Sequence, residues 1–157
     1  MIFRKLLVVC ALTATLLPAV SVTPSVANPD KVEASLLSKG KGTQDFTGGG
    51  LTYGTVSRGG SLLVRDISGD LSKTVAGTVG RKMKDGSMMY VVTSKSTTFK
   101  LSGKKYEVTL KGNSTLNGIG VYGKAHFRGA GTYQLSGDAV LPWDGQVDLG
   151  RPNGKHE

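Results

Sequence analysis

Two histidines, His126 and His156, are the only imidazoles this chain offers to acid–base chemistry. Nucleophilic catalysis needs a nucleophile, a base and a group that orients the base. His126 sits between Ala125 and Phe127, so strand alternation turns it away from them, and toward solvent if they face a core. His156 falls in a polar tail, and no Gly-x-Ser-x-Gly elbow occurs. The single cysteine, Cys10, lies near the start, so no cluster of thiolates can hold zinc. Among the acids, Asp66 and Asp70 flank Ser68-Gly69, and Asp144 and Asp148 follow Trp143; neither spacing is that of a calcium loop. A two-carboxylate hydrolase using Asp66, Asp70 or Asp138 is the weakest reading, because aromatics on which a sugar ring could stack make up only 6% of the chain. Gly118-Ile119-Gly120 and Gly129-Ala130-Gly131 are fragments of a phosphate loop without its lysine or a following helix. The chain reads as non-enzymatic and free of cofactors.

The cations say more. The formal net charge is +9. Arg81-Lys82-Met83-Lys84 runs into Asp85-Gly86, and Lys104, Lys105 and Arg128 lie further on. These six residues, Arg81, Lys82, Lys84, Lys104, Lys105 and Arg128, are the candidate anion-binding set. The expected partner is an anionic envelope polymer or a lipid surface. The competing account is a solvated hairpin tip whose charge blocks edge-to-edge pairing. Lys104-Lys105-Tyr106 and Phe127-Arg128 give a thin version of a nucleic-acid pattern, which export makes a minor reading.

Export is read from residues 1–27. Arg4 and Lys5 precede an apolar run from Leu6 to Leu17, and Ser25-Val26-Ala27 places small residues for cleavage before Asn28. The expected product is secreted or otherwise extracytoplasmic. An uncleaved anchor is the alternative, opposed by Pro18 and Pro24. Cleavage removes Arg4, Lys5 and Cys10 but no acid, so the formal charge becomes +7 and no disulfide can form within the mature chain.

The elements that must position the cations are strands. Glycine pairs and Asp/Asn-Gly dipeptides separate short apolar runs along the whole mature sequence. Residues 28–47 are polar and charged and read as a flexible linker. Residues 48–149 read as one all-β domain, and 150–157 as a disordered tail. Tyr106, Val108 and Leu110 alternate with Glu107, Thr109 and Lys111, the clearest strand of the chain. Ile119, Val121, Ala125 and Phe127 share one parity. Met88 to Val92 is apolar on both faces and is expected to be a central strand. Asp85-Gly86 and Asn117-Gly118 carry the signature of two-residue hairpin turns. Pro142 excludes a central strand, and Trp143 is expected to cover an open end of the core. The expected architecture is an antiparallel, hairpin-built sandwich or barrel of roughly eight to ten short strands, with a β-solenoid as alternative.

Ser-Gly recurs at Ser68, Ser102 and Ser136, about 34 residues apart each time, and this spacing raises a threefold hairpin repeat. Gly60-Ser-Leu-Leu-Val-Arg-Asp-Ile-Ser-Gly-Asp70 and Phe127-Arg-Gly-Ala-Gly-Thr-Tyr-Gln-Leu-Ser-Gly137 resemble segments of small secreted, Gly-rich β proteins of actinobacteria. The resemblance covers about the 50–140 region and implies an exported β domain, with no site residues. A structural or self-assembling surface protein is the second functional reading, because Gly-rich strands specify their register weakly.

Overall fold

The computed structural model describes residues 34–151; the segment 1–27 read as a leader, residues 28–33 and the last six residues lie outside them. The described chain is all-β, one antiparallel sheet of eight strands that is not closed into a barrel. The strands are β1 (Ala34–Val56), β2 (Ser61–Asp66), β3 (Ser72–Ala76), β4 (Gly80–Lys82), β5 (Met88–Val91), β6 (Thr97–Leu135), β7 (Leu141–Pro142) and β8 (Gly145–Gly150). Six are short, as expected. Two are not: β1 runs for 23 residues and β6 for 39.

These two strands build most of the molecule. Each pairs with the other along both edges. Gly42 of β1 lies opposite Gly112 on one side and Gly129 on the other, and Phe46 lies between Val108 and Ala125. The ribbon therefore coils on itself, and the glycines sit where it turns. A Cβ on Gly42 would lie 2.0 Å from the Arg128 carbonyl oxygen, and its φ of 148° disfavours any side chain. The short strands extend the sheet. β2 and β3 pair with β6, β5 with β2, β4 with β5, and β7 and β8 cover the last third of β6.

Period-2 alternation fixes what faces inward. Leu36, Phe46 and Val56 of β1 are buried, as are Leu62 and Val64 of β2, which settles the inner face of that mixed strand. Tyr106, Val108 and Leu110 are buried as the alternation predicts. The inward set of β6 changes parity twice, from Phe99 and Leu101 to Tyr106 and Val108, then from Leu116 to Val121 and Ala125. Each change requires one extra residue, a bulge, around Gly103–Lys105 and around Ile119–Gly120. Ile119 is consequently 56% exposed, although Val121, two residues on, is fully buried.

Several expectations need correction. The stretch read as a linker to residue 47 is, from Ala34, the first half of β1, because Leu36, Ser38, Gln44 and Phe46 supply an alternating inner face. The sheet likewise runs to Gly150, one residue beyond the expected domain end. Asn117-Gly118 makes no turn. It lies inside β6, with Asn117 paired to both Leu37 and Tyr53, so two ladders override the local signal. Ser102-Gly103 is likewise inside β6, whereas Ser68-Gly69 and Ser136-Gly137 are at turns, and no threefold unit emerges. β5 is not central: only the three-residue β4 lies beyond it, and Val91 is 56% exposed. Pairing is antiparallel throughout, so the solenoid alternative does not apply.

Trp143 does cover the core, stacking on Phe127 at a ring separation of 5.5 Å. Beneath it lies a buried polar chain. Ser38 Oγ donates to Gln44 Oε1 at 2.7 Å, and Gln44 Nε2 donates to Ser114 Oγ at 2.8 Å and to the Ser114 carbonyl at 3.1 Å. Gln44 is fully buried, yet both ends of its amide are satisfied.

Candidate functional site: a basic groove at the β4–β5 edge

The hairpin from β4 to β5 places Arg81, Lys82 and Lys84 together. Its turn is a three-residue loop rather than the expected two-residue one. Gly86 N donates to the Met83 carbonyl at 3.1 Å, and Met83 N donates to the Ser87 carbonyl at 2.8 Å. Gly86 has a φ of 86°, the left-handed residue that ends such a loop. Asp85 is held within the turn, where Oδ1 accepts from Ser87 Oγ at 2.6 Å and from Ser87 N at 3.0 Å. The Ser87 hydroxyl, followed by the Ser87 N–H, holds the Asp85 carboxyl below the ordinary aspartate value.

The result is an open groove of about 610 Å³. Arg81, Lys82 and Lys84 are exposed along it, and half-buried Leu63, Met83 and Met89 supply apolar lining. Arg81 Nη2 lies 3.9 Å from Met83 Sδ, which orients the guanidinium over this lining. Three cations beside one internally bonded carboxylate give the groove a positive rim, and the thioethers give it an adaptable lining. Sequence reading missed Leu63, Met83 and Met89 as groove residues. The alternation that buries Leu62 and Tyr90 also puts Leu63 and Met89 outward, but the sequence alone left the buried face open.

The other three candidates lie elsewhere. Lys104 and Lys105 occupy the bulge of β6 and are both exposed. Their backbone N–H groups donate to Asp70 Oδ1 and Ser68 Oγ at 3.1 and 3.0 Å. Ser68 Oγ and the Lys104 N–H, in that order, hold the Asp70 carboxyl below its ordinary value. Arg128 stands at the far end of the sheet. From Arg81 the register steps to Met89, Leu63, Thr109, Asp45 and then His126, beside Arg128. Five interstrand steps span about 24 Å. Arg128 Nη2 approaches Asp45 Oδ2 at 3.7 Å, a surface pair. His126 faces outward as expected, with Nδ1 3.9 Å from the same carboxylate.

Two of the aspartates singled out in the sequence cap backbone. Asp66 accepts from Gly69 N and Leu71 N through its two oxygens, and Asp148 Oδ1 accepts from Gly150 N. Among the described residues no group of three or more His, Cys, Asp or Glu is placed to hold a metal ion. No family model, curated protein or solved structure matches this chain.

Proposed function

We propose that this protein is a non-catalytic, exported β module that holds an anionic polymer of the cell envelope in the groove that lies over β2, β5 and the β4–β5 turn. The observation that carries the reading is the convergence of Arg81, Lys82 and Lys84 on one open groove whose only lining carboxylate, Asp85, is bonded to Ser87. A repeating anion such as a polyphosphodiester suits a row of exposed cations, because each anionic unit that docks releases counterions. The leader read from residues 1–27 and the resemblance to secreted Gly-rich β proteins of actinobacteria support an extracytoplasmic location.

The test is retention of the purified protein on immobilised anionic and neutral envelope polymers across a salt series. Binding to the anionic polymer is expected to weaken with salt and to fall in Arg81→Gln/Lys82→Gln/Lys84→Gln. All three positions are exposed, so the fold should tolerate the change. Self-assembly is the second reading, supported by the outer edges of β3 and β4, which pair with no other strand among the described residues. Concentration-dependent sedimentation distinguishes it.

A further inference from the structure

The sheet has a second outward surface, away from the groove, and its chemistry differs. Two rows of cross-strand neighbours define it. One runs Lys100, Tyr53, Asn117, Leu37, Gln134; the next runs Thr98, Thr55, Thr115, Lys39, Thr132. Neither row contains an acid. Past the turning point at Gly42 the outward residues of β1 lie on the other half of the coil, where Asp45 stands between Thr109 and His126, beside Glu107 and Asp148, with Asp45 and Glu107 in ion pairs. On the acid-free face three large apolar side chains stand in solvent: Leu37 at 52%, Ile119 at 56% and Tyr53 at 37% exposure. They surround Asn117: Leu37 and Tyr53 lie on either side of it, and Ile119 is two residues along the same strand. Lys39 and Lys100 flank them, and an open groove of about 520 Å³ runs from Lys39 past Lys41, lined by Thr115, Thr132 and Asn113. Asp138 belongs to the turn after β6, at the rim.

We infer that this face docks flat on an anionic lipid surface. The apolar trio would enter the headgroup region with the Tyr53 ring at the boundary, where tyrosine is favoured. Lys39 and Lys100 would meet lipid phosphates, and the groove beside Lys39 has the hydroxyl and amide donors to hold one. Charge selects the occupant. A second copy placed face to face would set lysines against lysines with no carboxylate in either row, whereas an anionic bilayer complements both. This surface is distinct from the β4–β5 groove and does not depend on the polymer reading.

The test uses the full chain and vesicles of equal parts phosphatidylglycerol and phosphatidylcholine, with pure phosphatidylcholine as the neutral arm. An environment-sensitive dye is placed at Ile119→Cys or Lys124→Cys in a Cys10→Ser background; Lys124 is exposed and lies between Thr47 and Asp148, on the half of the coil that carries the acids. The dye at 119 is expected to shift to the blue on anionic vesicles and the dye at 124 to stay unchanged. This difference cannot come from an apolar leader that merely tethers the chain. Lys39→Gln/Lys100→Gln should weaken vesicle binding by about 25-fold, at about fivefold per lysine. Arg81→Gln/Lys82→Gln/Lys84→Gln should leave the dye response in place even if it abolishes polymer binding. Equal responses at the two dye positions, or no loss in the Lys39/Lys100 variant, would overturn the inference. A dye shift at 119 that depends on protein concentration without vesicles would assign the face to a second copy instead.

Discussion

The Trp143 indole N–H donates to Ser38 Oγ at 3.0 Å, joining residues 105 apart in the chain. Through Ser38 the contact reaches Gln44 and Ser114, so the segment joining β7 to β8 is tied to both long strands. The ring fits because the backbone beside it has no side chains: a Cβ on Gly131 would lie 2.5 Å from the indole, and one on Gly40 2.7 Å. Trp143→Ala is expected to cost about 3–5 kcal/mol. Gly131→Ala should displace the ring toward solvent and shift its emission to the red. Urea unfolding followed by far-UV circular dichroism measures the first, and the emission maximum reports the second.

Thr97 is fully buried, and among the described residues its Oγ1 has no hydrogen-bond partner. Such an orphan hydroxyl is a cost that valine, of the same shape, removes. Thr97→Val should therefore stabilise the protein by about 1 kcal/mol, raising Tm by about 3–6 °C. Calorimetry checks it.

Tyr106 sets an alkaline limit. Burial pushes its phenol up to about 12. The hydroxyl meets Thr52 Oγ1 at 2.8 Å inside the core, where a phenolate would be desolvated. Below pH 10 the tyrosine is protonated in both folded and unfolded chains and contributes no slope. Between pH 10 and 12 only the unfolded chain releases the proton, so stability falls as pH rises, by roughly 3 kcal/mol over the interval. Tyr106→Phe should remove this slope while losing the Thr52 bond. Unfolding curves from pH 9 to 12 measure both effects.

Glycine at the coil's turning points is predicted to be indispensable, while glycine at its tips is not. Gly42→Ala drives a methyl group into the Arg128 carbonyl, where only backbone could yield. Gly59 also has positive φ, 85°, but a Cβ there meets nothing within 4 Å. Gly59→Ala should cost only about 1 kcal/mol, from backbone strain alone. Gly42→Ala should leave little folded protein at 37 °C. Soluble yield and thermal melts of the two variants side by side decide this.

What the sequence made legible was local. The alternation of Tyr106, Val108 and Leu110, the Asp85-Gly86 turn, and Trp143 as a cover all follow from neighbours in the chain. What stayed hidden depended on partners far away. Asn117-Gly118 carries a turn signal that two ladders with β1 override, and nothing within a few residues announces those ladders. Leu36 to Phe46 was masked by lysines and glycines, although Leu36, Ser38, Gln44 and Phe46 are buried. Ile119 faces out because a bulge adds one residue at Gly120, and one residue is enough to reverse a face. For the candidate site, Arg81, Lys82 and Lys84 were legible as a group because one hairpin carries them. Lys104, Lys105 and Arg128 were grouped by charge alone, and the register separates them. Lys39, Lys41 and Lys100 were passed over because their common face exists only once β1 and β6 have coiled.

The most direct test of the basic groove is the salt dependence of binding between the protein and a soluble anionic envelope polymer, measured for wild type and for Arg81→Gln/Lys82→Gln/Lys84→Gln. The account predicts wild-type affinity that declines steeply as salt rises, and a variant whose weak binding hardly changes with salt. Equal affinity and equal salt dependence in the two proteins would contradict it.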